Sequence, residues 1–249
     1  MAVTVVWTLG SFSFIDDGGS APLDVRIAPG WRVNPVVLVQ KHGAFIVTSP
    51  FRAPTPINLS GRMYGATGEA LRDKVDTLQN VIVSGRVQLN IFNDRYMNVI
   101  CQESSFSYPA GAGLQVVDFV LDLLADEAVW ISETLDTSNH LTNSTPSITN
   151  SGNAATPPVI TVTAGGAGLT AFSAQNTTSG KTLSWAGSLT SGQVLEIDME
   201  NFTITEAGVE SLSGFSGVFW DLIAGANALS LTSTPTGIAV VITKRNRWA

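Results

Sequence analysis

Three carboxylates, Glu196, Asp198 and Glu200, alternate along one short run of the chain, QVLEIDME. At period two their side chains share one face of a strand at intervals of roughly 7 Å. Carboxylates so placed are the raw material of a calcium site or of a glycosidase acid and nucleophile. They are equally the wet face of a half-buried strand whose other face, Leu195, Ile197 and Met199, turns to a core. No further ligand residue accompanies them, so the wet-face reading is the expectation and no metal ligand is assigned. NTTSGKTLS contains Gly180-Lys181-Thr182, the tail of a phosphate-binding loop, but Gln175 stands where the motif requires its first glycine. A helix must follow that loop, whereas KTLSWAG reads as a strand. TAGGAGL lacks the spacing of a dinucleotide loop and reads as a hairpin tip. The two histidines, His42 and His140, fall in a turn and in a polar stretch, without the fixed orientation that a Ser-His-Asp triad demands. Cys101 is the only cysteine, which excludes an internal disulfide and a multi-cysteine zinc site; on a strand it is a small core residue. The six tryptophans offer material for a sugar-stacking platform, although packing is their commoner use. The expectation is a non-enzyme with no cofactor.

The elements that carry these residues are mostly strands. Val3, Val5, Trp7 and Leu9 alternate, Asp16 to Gly19 supplies a turn, and PVVLVQ and GAFIVTSP flank a second turn at Lys41-His42-Gly43. One segment departs from this pattern. From Thr67 to about Val81, Leu71, Val75 and Leu78 fall at i, i+4 and i+7 while Glu69, Arg72, Asp73, Lys74 and Asp76 cover the other side. That spacing predicts an amphipathic helix packed through Leu71, Val75 and Leu78, capped near Thr67 and ending before Gly85. GRVQLNIF then turns at Asn93-Asp94 and returns as YMNVICQES, a long hairpin flanked by Arg86 and Arg95. LQVVDFVLDLL follows a Gly-rich turn and reads as a strand with Val117, Phe119, Leu121 and Leu123 on one face. A helix is the alternative, since Asp118, Asp122 and Asp126 also fit a column at spacing four.

Residues 133 to 147, ETLDTSNHLTNSTPS, are polar and aperiodic, and place a boundary between two domains. The expected division is 1–135, a linker at 136–147, and 148–249. The second part contains short strands and Gly-rich turns, VITVT, KTLSWAG, QVLEIDM, NFTITEAG, ALSLTST and GIAVVITK, at the intervals of an antiparallel β-sandwich.

Bulk composition narrows the function. Charged residues make up 13% of the 249, about half the ~25% usual for soluble domains, and only four are lysines: Lys41, Lys74, Lys181 and Lys244. A β-rich chain with so few edge-protecting charges is expected to have its edges covered by other subunits. The net charge of −7 is opposite to the footprint of a nucleic-acid binder. It divides evenly: 9 basic and 13 acidic residues up to Leu135, 4 and 7 beyond it. The start MAVTVVWTLG lacks the features of a signal peptide, and the longest apolar run, VVDFVLDLLA, is too short to span a bilayer, so no membrane insertion is expected.

Against this background the second part resembles the C-terminal domain of siphophage distal tail proteins. The residues that carry the resemblance are Asn150, Gly152, Asn153 and Ala154; Gly192, Gln193, Leu195, Ile197 and Asp198; Leu222, Gly225 and Asn227; and the closing Arg247 and Trp248. The segment from Ile57 to Glu103 is similar to the strand, single helix and long hairpin of the same family's N-terminal ring domain. ADEAVWIS stands where that family often has an aromatic-rich Asp-Pro strand ending. The resemblance implies a mainly β protein: a tail-tube-like β-sandwich or barrel with one α-helix, then a galectin-like antiparallel sandwich. It implies a homo-oligomer, a hexameric ring at the tail tip of the virion that is assembled in the cytoplasm of the host bacterium. Its partners would be the tail-tube protein, the baseplate hub and receptor-binding proteins, and its channel would pass DNA without stable nucleic-acid binding. Arg86, Asp94 and Arg95 are the candidate subunit contacts. A tail-tube protein with a decorating domain and a carbohydrate-binding module are the alternatives.

Overall fold

The computed structural model describes residues 8–14, 21–27, 31–32, 35–37, 44–46, 51–52, 54–92, 94–110, 113–125, 127 and 129–249. The alternation begun at Val3, Val5 and Trp7, the turns at Asp16 to Gly19 and at Lys41-His42-Gly43, and Asn93 and Asp126 lie outside the described residues. The chain is mostly β, with antiparallel sheets and one α-helix among the described residues. It divides into two compact units, Met1–Trp130 and Ile131–Ala249.

The first unit contains β1 (Thr8–Leu9), β2 (Phe12–Ser13), β3 (Ala21–Ile27), β4 (Trp31–Arg32), β5 (Pro35–Val37), β6 (Ala44–Ile46), β7 (Phe51–Arg52) and β8 (Thr55–Tyr64). After these come α1 (Gly68–Val83), β9 (Arg86–Phe92), β10 (Arg95–Ser107) and β11 (Val116–Ala125). The main sheet runs β2-β1-β9-β10-β11-β8-β3, while β4 pairs with β7 and β5 with β6. β8 and β11 match residue for residue from Thr55↔Ala125 to Tyr64↔Val116. This register puts Ile57, Leu59 and Met63 on the same buried face as Val117, Phe119, Leu121 and Leu123. LQVVDFVLDLL is therefore a strand from Val116: its period-two apolar column is continuous, and the aspartates fall on the solvent face.

α1 packs on that buried face. Thr67 is its N-cap, its hydroxyl oxygen accepting from the Ala70 amide at 3.1 Å. Glu69 lies in the first turn, where a carboxylate favours the positive end of the helix dipole. Leu71, Val75, Leu78 and Val81 are buried in one cluster with Leu9, Phe14, Met63, Leu89 and Phe119. Phe14 stacks on Phe119 with ring centroids 5.4 Å apart. Ser84 ends the helix, and Gly85 reverses the chain at φ +98° before β9 begins.

The second unit opens with the remainder of β12 (Trp130–Ser132) and continues with β13 (Asp136–Leu141), β14 (Ser147–Asn150), β15 (Val159–Thr163), β16 (Leu169–Asn176), β17 (Lys181–Leu189) and β18 (Val194–Asp198). It ends with β19 (Thr203–Glu206), β20 (Val209–Glu210), β21 (Phe215–Gly217), β22 (Gly225–Thr234), β23 (Ala239–Lys244) and β24 (Arg247–Trp248). One sheet runs β13-β23-β15-β18-β19-β20 and the other β14-β22-β16-β17-β21. Ile160, Val162, Leu195, Ile197, Val240 and Ile242 of the first meet Phe172, Leu183, Trp185, Leu229 and Leu231 of the second in one core. That arrangement is an antiparallel sandwich.

Residues 136–147 differ from their expected role as a linker. Asp136–Leu141 pairs along its whole length with β23, from Asp136↔Lys244 to Leu141↔Ala239, as an edge strand of the sandwich. Composition misled there because an edge strand needs few apolar side chains. The strand is held by main-chain bonds and by one ionic anchor: the Lys244 ammonium donates to Asp136 Oδ2 and to Asn246 Oδ1, both at 2.7 Å.

Candidate functional site

The carboxylate run QVLEIDME resolves into structural roles. Leu195, Ile197 and Met199 are buried, and Glu196 is exposed. Asp198 caps the following turn, its Oδ1 accepting from the amides of Glu200 and Asn201. Glu200 pairs with the Arg247 guanidinium at 2.5 Å. No group of three His, Cys, Asp or Glu side chains able to hold a metal ion occurs among the described residues. Gly180-Lys181 forms the reversal between β16 and β17, with Gly180 at φ +72° and Asn176 Oδ1 accepting from the amides of Thr178 and Ser179. Cys101 is half-buried and donates to Glu103 O at 3.3 Å; burial pushes its thiol pKa up, away from the reactive thiolate.

Two of the six tryptophans lie in the core of the second unit. Trp185 and Trp220 are each about 1% exposed, and their indole N–H groups donate to Glu206 Oε1 and Ala174 O. An open groove of about 300 Å³ lies on the outer face of β16, β17 and β22, lined by Ser173, Ser184, Ser216, Thr232, Ala171 and Ala186. It borders Trp185 without exposing it. Truncating Trp185 would therefore hollow the core rather than remove a stacking surface.

Among the candidate contact residues, the structure brings Asp94 and Arg95 together at the tip of the β9–β10 hairpin, with Arg95 Nε 3.2 Å from Asp94 Oδ2. Arg86 does not join them. It pairs in register with Ile100 at the hairpin base, six residues from Phe92 and so about 20 Å away along the strand. Phe92, partly exposed, meets Trp130 edge-on at 5.5 Å. The more informative feature is β10 itself. β9 covers one flank only from Arg95 to Ile100, while β11 covers the other from Val99 to Ser107. Beyond Ile100 the registered partner of β10 is β11. Gln102, Glu103, Ser104, Ser105 and Ser107 are exposed there, and a bulge lies between Cys101 and Glu103.

Sequence reading missed the Arg62–Asp118 pair. These residues sit directly opposite on β8 and β11, and the guanidinium donates to both carboxylate oxygens, at 2.5 and 3.0 Å. The Arg62 bond holds the Asp118 carboxyl below the usual range. Four positions along, Asn58 donates to Asp122 at 2.7 Å. Alternation marked Asp118 and Asp122 as outward-facing, but their partners lie about sixty residues earlier and required the register.

Several of the residues behind the family resemblance fasten the fold. Asn150 is buried; its amide donates to Ala154 O and Leu222 O, and its Oδ1 accepts from the Gly152 amide. Gly152 lies so close to Arg247 that a Cβ would sit 1.9 Å from its carbonyl oxygen. The Ala154 amide donates to that same oxygen, and Asn153 Oδ1 accepts from the Ala249 amide. The segment after β14 and the closing segment of the chain given are thus zipped together. Asn227, also buried, brackets its turn by accepting from the Ile223 amide and donating to Ile223 O and Gly225 O.

What the folds and these fastenings define is a mainly β scaffold of two units with one α-helix, in which many of the described polar residues serve turns, edges and zippers. Residues 151–248 match the siphovirus-type tail component family, C-terminal domain. The chain is similar in fold to the SPP1 Dit protein, a paradigm of the hub adsorption apparatus in phages that infect Gram-positive bacteria. That match has a TM-score of 0.68 at 14% identity and covers 98% of this chain and 100% of the other. A chain of the phage P2 baseplate, solved in its activated conformation with calcium, aligns at 8% identity and TM-score 0.49 over 98% of each chain. No curated protein matches the chain. The resemblance to siphophage distal tail proteins therefore holds, in sequence over the second unit and in fold over nearly the whole chain.

Proposed function

We propose that the chain is a structural protein of a siphophage tail tip, assembled as a hexameric ring that joins the tail tube to the baseplate hub and leaves a channel for DNA. The observation that carries this reading is the tail-component family match over 151–248, set in a chain whose fold follows that of a hub protein from end to end. The first unit forms the ring and the second offers its surface to hub and receptor-binding proteins. The role is structural rather than catalytic. Its site of action is the virion tail tip, after assembly in the cytoplasm of the host bacterium.

Two physical features support ring assembly. Residues 101–107 of β10 expose Gln102, Glu103, Ser104, Ser105 and Ser107 with Glu103 the one charge among them, a sparsely guarded stretch of the kind to which a neighbour's strand adds. A heterologous contact of that kind closes into a ring when its rotation divides the circle. Asp94 and Arg95, at the other end of β10, are candidates for a separate subunit contact, where exposed ion pairs set register more than affinity because each contributes only ~0 to 1 kcal/mol. Electron microscopy of the purified full chain tests the proposal: six-membered rings with an open centre are expected, and dispersed single particles at high concentration would overturn it.

A further inference from the structure

The two sheets of the sandwich end, on one side, in the edge strands β13 and β14. A cleft of about 190 Å³ lies between these edges, with Asp136 and Ser138 on one, Ser147 and Thr149 on the other, and Ile242 and Lys244 of β23 behind them. The register accounts for its inner wall. Asp136 stands opposite Lys244 and Ser138 opposite Ile242, while Ile148, Ile242 and Lys244 are all buried. An apolar wall thus carries one ion pair.

That ion pair is incomplete as a hydrogen-bonding group. The Lys244 side chain is only 5% exposed, and its ammonium donates to Asp136 Oδ2 and to Asn246 Oδ1. An ammonium has three donors. The third has no acceptor among the described residues, although a buried donor without a partner is costly. Asp136 mirrors this arrangement: its Oδ2 accepts from both Lys244 and Asn246, whereas its Oδ1 accepts from no group among the described residues. The hydroxyls of Thr137, Ser147 and Thr149, around the same cleft, are without a partner there as well. No other charged side chain lines the cleft, so its net charge is zero.

We infer that the cleft between β13 and β14 is a binding site for a neutral, polyhydroxylated ligand of the monosaccharide class. A hydroxyl group donates and accepts through one oxygen, so it can serve Lys244 and Asp136 together. Neighbouring hydroxyls of the same ring meet the side chains of Ser147 and Thr149, and the C–H face of the ring lies toward Ile148 and Ile242. A charged ligand is disfavoured, because the pair is already balanced and a further charge would stand uncompensated beside it. No aromatic ring lines the cleft, so the affinity is on the order of millimolar rather than tighter. The inference rests on the second unit alone and does not depend on ring formation.

Saturation-transfer NMR on the full chain tests it, with glucose, galactose and N-acetylglucosamine as neutral probes and glucosamine and glucuronate as charged ones. Transfer to at least one neutral sugar is expected, stronger than to either charged sugar. Ser147→Phe places a ring in the cleft from an exposed edge position and should abolish the transfer while leaving the thermal midpoint unchanged, so that lost binding is not lost folding. Asp136→Asn should weaken binding roughly tenfold, as for one charge-assisted hydrogen bond, measured below its own melting transition. Absence of transfer to all three neutral sugars, equal or stronger transfer to a charged one, or a signal that Ser147→Phe leaves intact would overturn the inference.

Discussion

At the scale of single residues, Gly152 is a position with no room for a side chain. A Cβ there meets the Arg247 carbonyl oxygen at 1.9 Å, backbone against backbone, with no flexible side chain to yield. Gly152→Ala should cost the second unit roughly 1–3 kcal/mol, as for other overpacked sites, read as a lowered denaturant midpoint; an unchanged midpoint would show that the zipper between the two segments can open without loss. Asp136 gives a prediction with a definite sign. Lys244 first, then Asn246, hold its carboxyl below the ordinary range, against the opposing effect of burial. A depressed carboxyl contributes stability above the unfolded value of about 3.9 and loses it as pH falls through the lower folded value. Asp136→Asn should therefore be the less stable form at pH 7, with the gap closing below about pH 4; a gap constant across pH would contradict the ionic anchor. Neither residue's role was legible in its neighbourhood. Gly152 was visible as a motif position, but its reason, a carbonyl almost a hundred residues away, belongs to the folded register alone.

At the scale of elements, legibility followed periodicity. α1 was readable because its apolar stripe, its cap and its exit glycine agree, and β11 because Val117, Phe119, Leu121 and Leu123 alternate against aspartates. β13 was not readable, since an edge strand of Asp, Thr, Ser, Asn, His and Leu has the composition of a loop. Its pairing with β23 supplies the order that its side chains do not announce. The helix carries two further predictions. Leu78 is fully buried, so Leu78→Ala should destabilise the first unit by roughly 2–5 kcal/mol. Thr67→Ala removes only the cap to the Ala70 amide and should cost about 1 kcal/mol. Thermal melts of the two variants check both, and a cap variant as damaging as the core variant would mean that the helix is held by its end rather than by its stripe.

At the scale of the whole molecule, composition was informative early. A charged fraction of 13%, four lysines and a net charge of −7 are the basis for expecting that other subunits cover the sheet edges and that nucleic acid is not held. A ring through which DNA passes must not hold it, and basic walls bind phosphate through counterion release. The purified chain should accordingly fail to retard DNA at physiological salt, and retardation would argue for a basic channel wall. The central claim is closure into a six-membered ring. Size-exclusion chromatography with light scattering on the full chain measures it most directly: the account predicts a species of six times 26.2 kDa that persists on dilution, and a 26.2 kDa monomer at high concentration, or a mass that rises without limit, would contradict it.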